Sequence, residues 1–357
     1  CLTMADFFIK EYRRIGNWEN FFLDSAIYSV GTSPGIEYPN GFVPIAAQTG
    51  DLFAYMYSDQ LPCDSGVTNY IFNQDAVRRA YAMFGYDTIF YSPEDIMRDY
   101  SSAYNAIKKS VEQNLPVLMW GCGGILMNDG MRYDPLPEGC IIGGYNTDED
   151  ILLVSLYPGA ERLAEHSANG RPGVDGYGYT AISTRDALAT TYGIFIVGDK
   201  ITPTPREELY KYALSSIKYW LNYKNDDYLF GAAAFRRWSE VMLDDANWSE
   251  PSLCEINSWV KHGSAYCSLC TSIGVGDGEG IAGYIRDAVE TLELSNKDKI
   301  LDCFIRLRRM NQRIWELSDG FLPSVERLMT HELRRDIAGA LVEMGDVCDE
   351  LNELPVR

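Results

Sequence analysis

The sequence predicts an α+β fold in two parts, a domain that combines helices and strands over residues 1–200 and an all-α domain over residues 201–357. Three apolar runs of strand length, Leu115–Trp120, Cys140–Tyr145 and Ile151–Tyr157, follow one another closely and predict a sheet. An amphipathic helix over Ser101–Gln113 precedes them. Beyond residue 201 the pattern changes, because apolar residues recur at the spacing of helices.

Shorter elements flank these strands in the first part. Phe7 and Phe8 belong to an apolar pattern at helical spacing, so an early helix is predicted there. Asp51 follows a turn and would cap a short helix that runs to Tyr57. The remaining predicted elements are a helix over Asp75–Phe84 and strands over Tyr86–Tyr91 and Tyr192–Gly198.

The second part opens with the signals of a helix start. Thr204 is a suitable cap, Pro205 would take the first helical position, and two glutamates follow in the first turn. Further apolar stripes then continue to Leu351 and predict roughly six helices. The sequence therefore predicts that the second part is a helical bundle packed against the first part.

Several of these motifs resemble the papain-like double-glycine peptidases that process bacteriocins, and most of all their relatives grouped with the butirosin-biosynthesis H protein. The resemblance is carried by the strand that leads into the turn Gly144-Tyr145-Asn146, by Thr49-Gly-Asp-Leu-Phe and by Gly231-Ala-Ala-Ala-Phe-Arg-Arg-Trp. It spans nearly the whole chain. It implies a papain-like domain whose cleft lies between a central helix after Asn17 and the strand that starts at Cys140.

The family's catalytic residues are not matched in this chain. The resemblance implies a nucleophilic Cys at the start of the central helix, where this sequence has no thiol, and a His at the strand start that Cys140 occupies. A Cys–His pair needs an imidazole within hydrogen-bond reach of the thiol. The three histidines, His166, His262 and His331, all lie away from the predicted strand ends.

Cys140 and Cys63 are therefore the candidate catalytic residues. Cys140 occupies the strand start, and Cys63 lies in a turn-rich loop where a migrated nucleophile could act. The competing interpretation makes Cys140 a buried thiol and Cys63 an ordinary loop cysteine.

The implied cleft also supplies candidate ligand-binding residues. It would offer aromatic surface and carboxylates but no imidazole, which suits a polar or cationic ligand better than thiol activation. The competing interpretation makes Glu19 an acid of a helix's first turn and Asp51 a helix cap. The candidate ligand-binding residues are Trp18, Glu19, Asn20, Asp51 and Tyr145.

Three classes of function follow from these observations. The first is a cysteine-peptidase-like or acyltransferase-like enzyme of bacterial secondary or peptide metabolism, and the resemblance implies a small amide, thioester or peptide substrate that could be carrier-bound. The second is a catalytically degenerate protein that binds such a ligand. The third is an N-terminal-nucleophile amidohydrolase in which Cys1 reacts with its own amine as base.

Composition restricts the partners and the compartment. A net charge of −20 disfavours nucleic acid and anionic membrane surfaces, because both are bound through Lys and Arg. No run of about 18 apolar residues exists to span a membrane. Nine cysteines without a short-spaced framework indicate free thiols in a reducing cytoplasm. The sequence is compatible with a homodimer.

One group of residues has the composition of a zinc site. Cys254, His262, Cys267 and Cys270 include a Cys-x-x-Cys pair. That pair falls within a predicted helix, whereas zinc knuckles place it in a turn. We therefore expect buried thiols there, with no metal and no cofactor.

Overall fold

A computed structural model of the chain describes residues 7–10, 22–33, 41–64, 66–71, 73–122, 125–126, 132–133, 136–155, 179–274 and 280–355. The chain divides into two compact units. The sheet unit comprises residues 1–45 and 72–204, and the helical unit comprises residues 46–71 and 205–357. The second division lies near the predicted boundary at residue 200, whereas the transfer of residues 46–71 to the helical unit differs from the prediction.

The sheet unit is built on one antiparallel sheet, which agrees with the predicted α+β class. Two-residue strands also occur: β1 (Phe7–Phe8) pairs with β7 (Leu136–Asn146), and β5 (Ile125–Leu126) pairs with β6 (Arg132–Tyr133). In spatial order, the main strands are β3 (Tyr86–Tyr91), β10 (Gly193–Lys200), β4 (Val117–Cys122), β7 (Leu136–Asn146), β8 (Ile151–Ser155) and β9 (Thr180–Ser183).

The helices of the sheet unit begin where the sequence offers side-chain caps. Asn73, Ser92, Asp99 and Ser183 each accept a hydrogen bond from a backbone N–H in the first turn of the helix that follows. These helices are α4 (Gln74–Met83), α5 (Pro93–Arg98), α6 (Tyr100–Glu112) and α7 (Thr184–Thr190), and α1 (Phe22–Gly31) packs against β7 and β4.

The predicted early helix at Phe7 and Phe8 is wrong, because these residues form strand β1. Phe7 lies opposite Tyr145 and Phe8 opposite Gly144 in β7. A side chain on Gly144 would collide with the backbone oxygen of Phe7, so the glycine permits this close pairing. Tertiary pairing therefore overrides the local helical spacing.

The helical unit contains most of the predicted bundle. The helix α15 (His331–Glu353) packs against both α9 (Gly231–Leu243) and α13 (Lys297–Ser318), and the apolar stripes of the three helices are buried. Its helices beyond residue 205 are α8 (Arg206–Leu221), α9 (Gly231–Leu243), α10 (Pro251–Asn257), α11 (Ser264–Leu269), α12 (Gly280–Thr291), α13 (Lys297–Ser318), α14 (Val325–Leu328) and α15 (His331–Glu353). Wider π-helical turns occupy Ser258–Gly263 and Cys270–Gly274.

The segment 46–71 is part of the helical unit because its apolar side chains are buried there. Phe53 packs edge-on against Phe304, with 6.1 Å between ring centroids. The predicted helix from Asp51 to Tyr57 is wrong: a turn is followed by strand β2 (Met56–Tyr57). The other elements of the segment are the end of α2 (Phe42–Thr49) and the short helix α3 (Val67–Tyr70).

The second part of the chain is not entirely helical. Strand β11 (Leu229–Phe230) pairs with β2 in a two-stranded sheet. The prediction of an all-α domain therefore needs correction at this point. The partners lie about 170 residues apart in the sequence, so no local pattern could have linked them.

Candidate functional site

The predicted site residues fall into three groups. Cys140 and Tyr145 lie in the sheet unit, whereas Cys63 and Asp51 lie in the helical unit. Trp18, Glu19 and Asn20 lie outside the described residues, so the proposed cleft wall stays a prediction. Cys1 and His166 also lie outside them.

A β-bulge in β7 brings two of the predicted residues to one face of the sheet. The register with β8 shifts between Ile142 and Gly144, which leaves Gly143 as an extra residue. One extra residue reverses the alternation of faces along a strand. Tyr145 therefore lies on the same face as Cys140.

Cys140 is a core residue of this face. Its side chain is 2% exposed and it lies opposite Met119 of β4, which is fully buried. Val117 and Ile142, which pair on the same face, are also fully buried. Since the bond from Tyr145 to Glu112 places α6 on this face, the Cys140 thiol belongs to the apolar layer between the sheet and α6.

Tyr145 lies at the edge of this layer in a small polar cluster. Its hydroxyl donates a hydrogen bond of 2.6 Å to Glu112, and the Lys108 ammonium lies 5.8 Å from its ring centroid. Phe7 stacks on its ring, with centroids 5.7 Å apart. Partial burial, followed by the bond to Glu112, raises the pKa of Tyr145 to about 12. The phenol is therefore a hydrogen-bond donor at neutral pH and not a base.

Cys63 is buried in the helical unit. Its side chain is 0% exposed, and its Sγ lies 3.9 Å from the Ser264 hydroxyl oxygen. Burial raises the pKa of the Cys63 thiol to about 12, although the contact with Ser264 acts in the opposite direction. This thiol carries almost no thiolate at neutral pH.

Asp51 caps the short helix α3 and not the predicted helix that would run from Asp51 to Tyr57. Its carboxylate accepts a hydrogen bond of 3.0 Å from the backbone N–H of Thr68 and another from the Thr68 hydroxyl. Thr68 is the second residue of α3, whose own cap position is glycine and supplies no side chain. The capping interpretation of Asp51 is thus supported, but for α3 rather than for a helix that begins at Asp51.

His262 is a buried polar residue whose environment sequence reasoning missed. Its side chain is 0% exposed, and neither ring nitrogen has a hydrogen-bond partner among the described protein atoms. The ring stacks on that of Tyr266, with 5.5 Å between centroids, and its centroid lies 5.4 Å from that of the Trp238 ring. Burial lowers the pKa of His262 to about 3, so the imidazole is neutral at pH 7.

The predicted absence of a zinc site concerns the same region. Cys254 donates a weak hydrogen bond to the carbonyl of Val325 at 3.6 Å, and Cys270 donates one to Asn311 at 3.7 Å. Among the residues that the structure describes, no three His, Cys, Asp or Glu side chains converge as a metal site. The Cys254 and Cys267 side chains are buried, and that of Cys270 is partly buried.

Asp24 is a second buried polar residue that the sequence did not indicate. It lies in the first turn of α1 and is fully buried, next to the apolar residues Leu23, Ala26 and Ile27. Burial of a carboxylate is costly unless polar groups or charges surround it. An acid within a continuous apolar stripe is the signal that could have drawn attention to it.

The helical unit also carries an open groove of about 750 Å³. The loop between α8 and α9, the first turns of α9 and the end of α15 form its walls. This volume is in the range of sites that hold small organic ligands. Of the predicted site residues that the structure describes, which are Asp51, Cys63, Cys140 and Tyr145, none lines it.

Two comparisons with known proteins found no match. No protein-family model matches the chain. No curated protein matches it significantly. Within the described ranges, no helix has both the length and the apolar character needed to cross a bilayer.

Proposed function

We propose that this protein binds a small amide, thioester or peptide ligand without thiol catalysis, as a degenerate relative of the papain-like group that its sequence resembles. The observation that carries the proposal is the burial of both candidate nucleophiles, Cys63 and Cys140. On the same resemblance, we place the protein in secondary or peptide metabolism of a bacterial cytoplasm.

A catalytic cysteine reacts as its thiolate and must reach its substrate. With a pKa of about 12, the Cys63 thiol is ionised in about one molecule in 10⁵ at pH 7. Catalytic cysteines are instead partly exposed and have a lowered pKa. Cys140 fails the requirement for access, because the sheet and α6 enclose it.

Among the described residues, no imidazole is hydrogen-bonded to the Cys63 thiol. Cys63 contacts the hydroxyl of Ser264, and neither nitrogen of His262 takes part in a hydrogen bond. A triad requires the imidazole to bond the nucleophile. Binding is therefore the function that this arrangement supports best.

Site-resolved alkylation tests the proposal without knowledge of the substrate. The native protein is treated with iodoacetamide at pH 7, and the modification rate of each cysteine is measured by peptide mass spectrometry. We expect Cys63 and Cys140 to react at least about 100-fold more slowly than N-acetylcysteine, because burial protects both and suppresses ionisation of Cys63.

The same measurement contains the outcomes that would contradict the proposal. A rate at Cys63 or Cys140 above that of N-acetylcysteine would indicate an activated nucleophile and an acyl-transfer or amide-cleaving enzyme. A selectively fast reaction at Cys1 would indicate the N-terminal-nucleophile class. The denatured protein is the control, in which all cysteines should react at similar rates.

A further inference from the structure

The groove of the helical unit has an apolar floor. Leu221, Phe230 and Cys348 line it and are buried. Tyr223 stands beside this floor, where its ring packs edge-on against Phe230 with 5.0 Å between centroids. A small apolar group placed there would exchange water for aliphatic and aromatic contacts.

The loop that borders the groove is held in a fixed conformation. The side-chain oxygen of Asn225 accepts hydrogen bonds from the backbone N–H groups of Asp227 and Tyr228, at 3.0 and 2.7 Å. The Tyr228 hydroxyl donates a bond of 3.0 Å to the carbonyl of Pro62. A site whose walls are already ordered loses less conformational entropy when it binds a ligand.

Most polar groups of the rim are already paired. The amides of Asn222 and Asn352 bond to each other at 2.7 and 3.2 Å. The Arg236 guanidinium is paired with Asp346 and Asp349. These pairs define the opposite wall, where their polar groups already have partners within the protein.

Two rim charges are not paired. Lys224 and Asp226 both line the groove and are exposed, and neither forms an ion pair or a side-chain hydrogen bond with any residue that the structure describes. They carry opposite charges two residues apart on the ordered loop. A ligand that presents one carboxylate and one ammonium group would complement both.

We propose that this groove binds a small zwitterionic ligand of the size of a dipeptide with free termini. The ligand's apolar side chain would contact Leu221 and Phe230, its carboxylate would pair with Lys224, and its ammonium group with Asp226. Neither candidate thiol lines the groove, so the proposal does not depend on whether the protein is an enzyme.

Calorimetric titration of the full chain with alanyl-phenylalanine tests this site. The matched probe is the same dipeptide with an acetylated amine and an amidated carboxyl group. We expect millimolar or tighter binding of the free dipeptide and about fivefold weaker binding of the blocked form, because each exposed ion pair contributes modestly. Absence of saturable binding of the free dipeptide, or equal affinity for both forms, would overturn the proposal.

Substitutions locate the binding. Lys224→Gln and Asp226→Asn should each weaken binding of the free dipeptide two- to fivefold, roughly the effect of one exposed ion pair. Lys211→Gln and Asp227→Asn are the controls, since both residues are exposed and neither lines the groove. Equal effects of Asp226→Asn and Asp227→Asn would place the ligand elsewhere.

A third variant tests the floor without removing a buried residue. Ala233 is exposed and lines the groove, so Ala233→Trp should fill it and abolish binding of both dipeptides. Its thermal unfolding confirms that the variant is folded. Unchanged binding by a folded Ala233→Trp would overturn the assignment.

Discussion

The candidate residues of the sheet unit and those of the helical unit lie in different environments. In the sheet unit, Cys140 lies among aliphatic side chains, and Tyr145 at the edge of that layer has its polar partner in Glu112. In the helical unit, Asp51, Cys63 and His262 are all in the interior, and the unpaired charges lie in a groove that involves none of them. Residue type alone therefore does not predict chemistry, because burial decides which groups can ionise or reach a ligand.

The largest expected effect concerns acid stability of the helical unit. The folded pKa of His262 is about 3 and lies below the usual value of 6.5, so the unfolded chain binds the proton more readily. Stability should be unaffected by this group above pH 6.5 and should fall as the pH drops towards 3, by about 4 kcal/mol over the whole window.

The variant His262→Phe isolates this contribution. Phe keeps the aromatic contacts and removes the two unpartnered nitrogens, so stability at pH 7 should be unchanged or higher. Urea unfolding at pH 7 and pH 5 measures the difference. An acid dependence equal to that of the unmodified protein would show that His262 is not the buried neutral group described here.

A somewhat smaller effect is expected at Asp51, a buried carboxylate that accepts hydrogen bonds from Thr68. Asp51→Ala removes the bonds to the backbone and hydroxyl of Thr68 and should lower the free energy of unfolding by about 3 kcal/mol. Asp227→Ala on the exposed loop should change it by less than about 0.5 kcal/mol. Denaturant titration of both variants makes the test, and equal effects would contradict the capping role.

The sheet unit is tested at the bulge that places Cys140 and Tyr145 on one face. A Cβ on Gly143 would lie 2.3 Å from the Tyr179 hydroxyl oxygen. Gly143→Ala should therefore lower the free energy of unfolding by about 2 kcal/mol. Gly339 is the control, because a Cβ there meets nothing within 4 Å and alanine favours its helix. Gly339→Ala should raise the free energy of unfolding by up to about 1 kcal/mol. Thermal unfolding that ranks the two variants the other way would contradict the bulge geometry.

Apolar periodicity was sufficient to predict the main elements. The run Leu115–Trp120 corresponds to β4 at Val117–Cys122, and Tyr192–Gly198 corresponds to β10 at Gly193–Lys200. Both strands are buried along most of their length, so hydrophobicity marks them well. The stripes beyond residue 201 likewise predicted helices, because each stripe is the buried face of one helix.

Non-local contacts explain what the sequence did not predict. Segment 46–71 joins the helical unit through pairs such as Tyr57 with Trp238, whose rings stack at 5.8 Å. Asp51 caps a helix that begins 16 residues later, and no capping pattern covers that distance. The burial of His262 depends on Trp238 and Tyr266, and only the second is close to it in sequence.

The most direct test of the central claim is a search for an acyl-enzyme. The full chain is incubated with a small acyl thioester, and intact-protein mass spectrometry compares it with Cys63→Ala, Cys140→Ala and the double variant, each checked for folding by thermal unfolding. We expect that none of the substitutions changes the amount of acylated protein, because neither thiol is available as a nucleophile. One acyl group per chain, lost in a folded Cys63→Ala or Cys140→Ala variant, would contradict it.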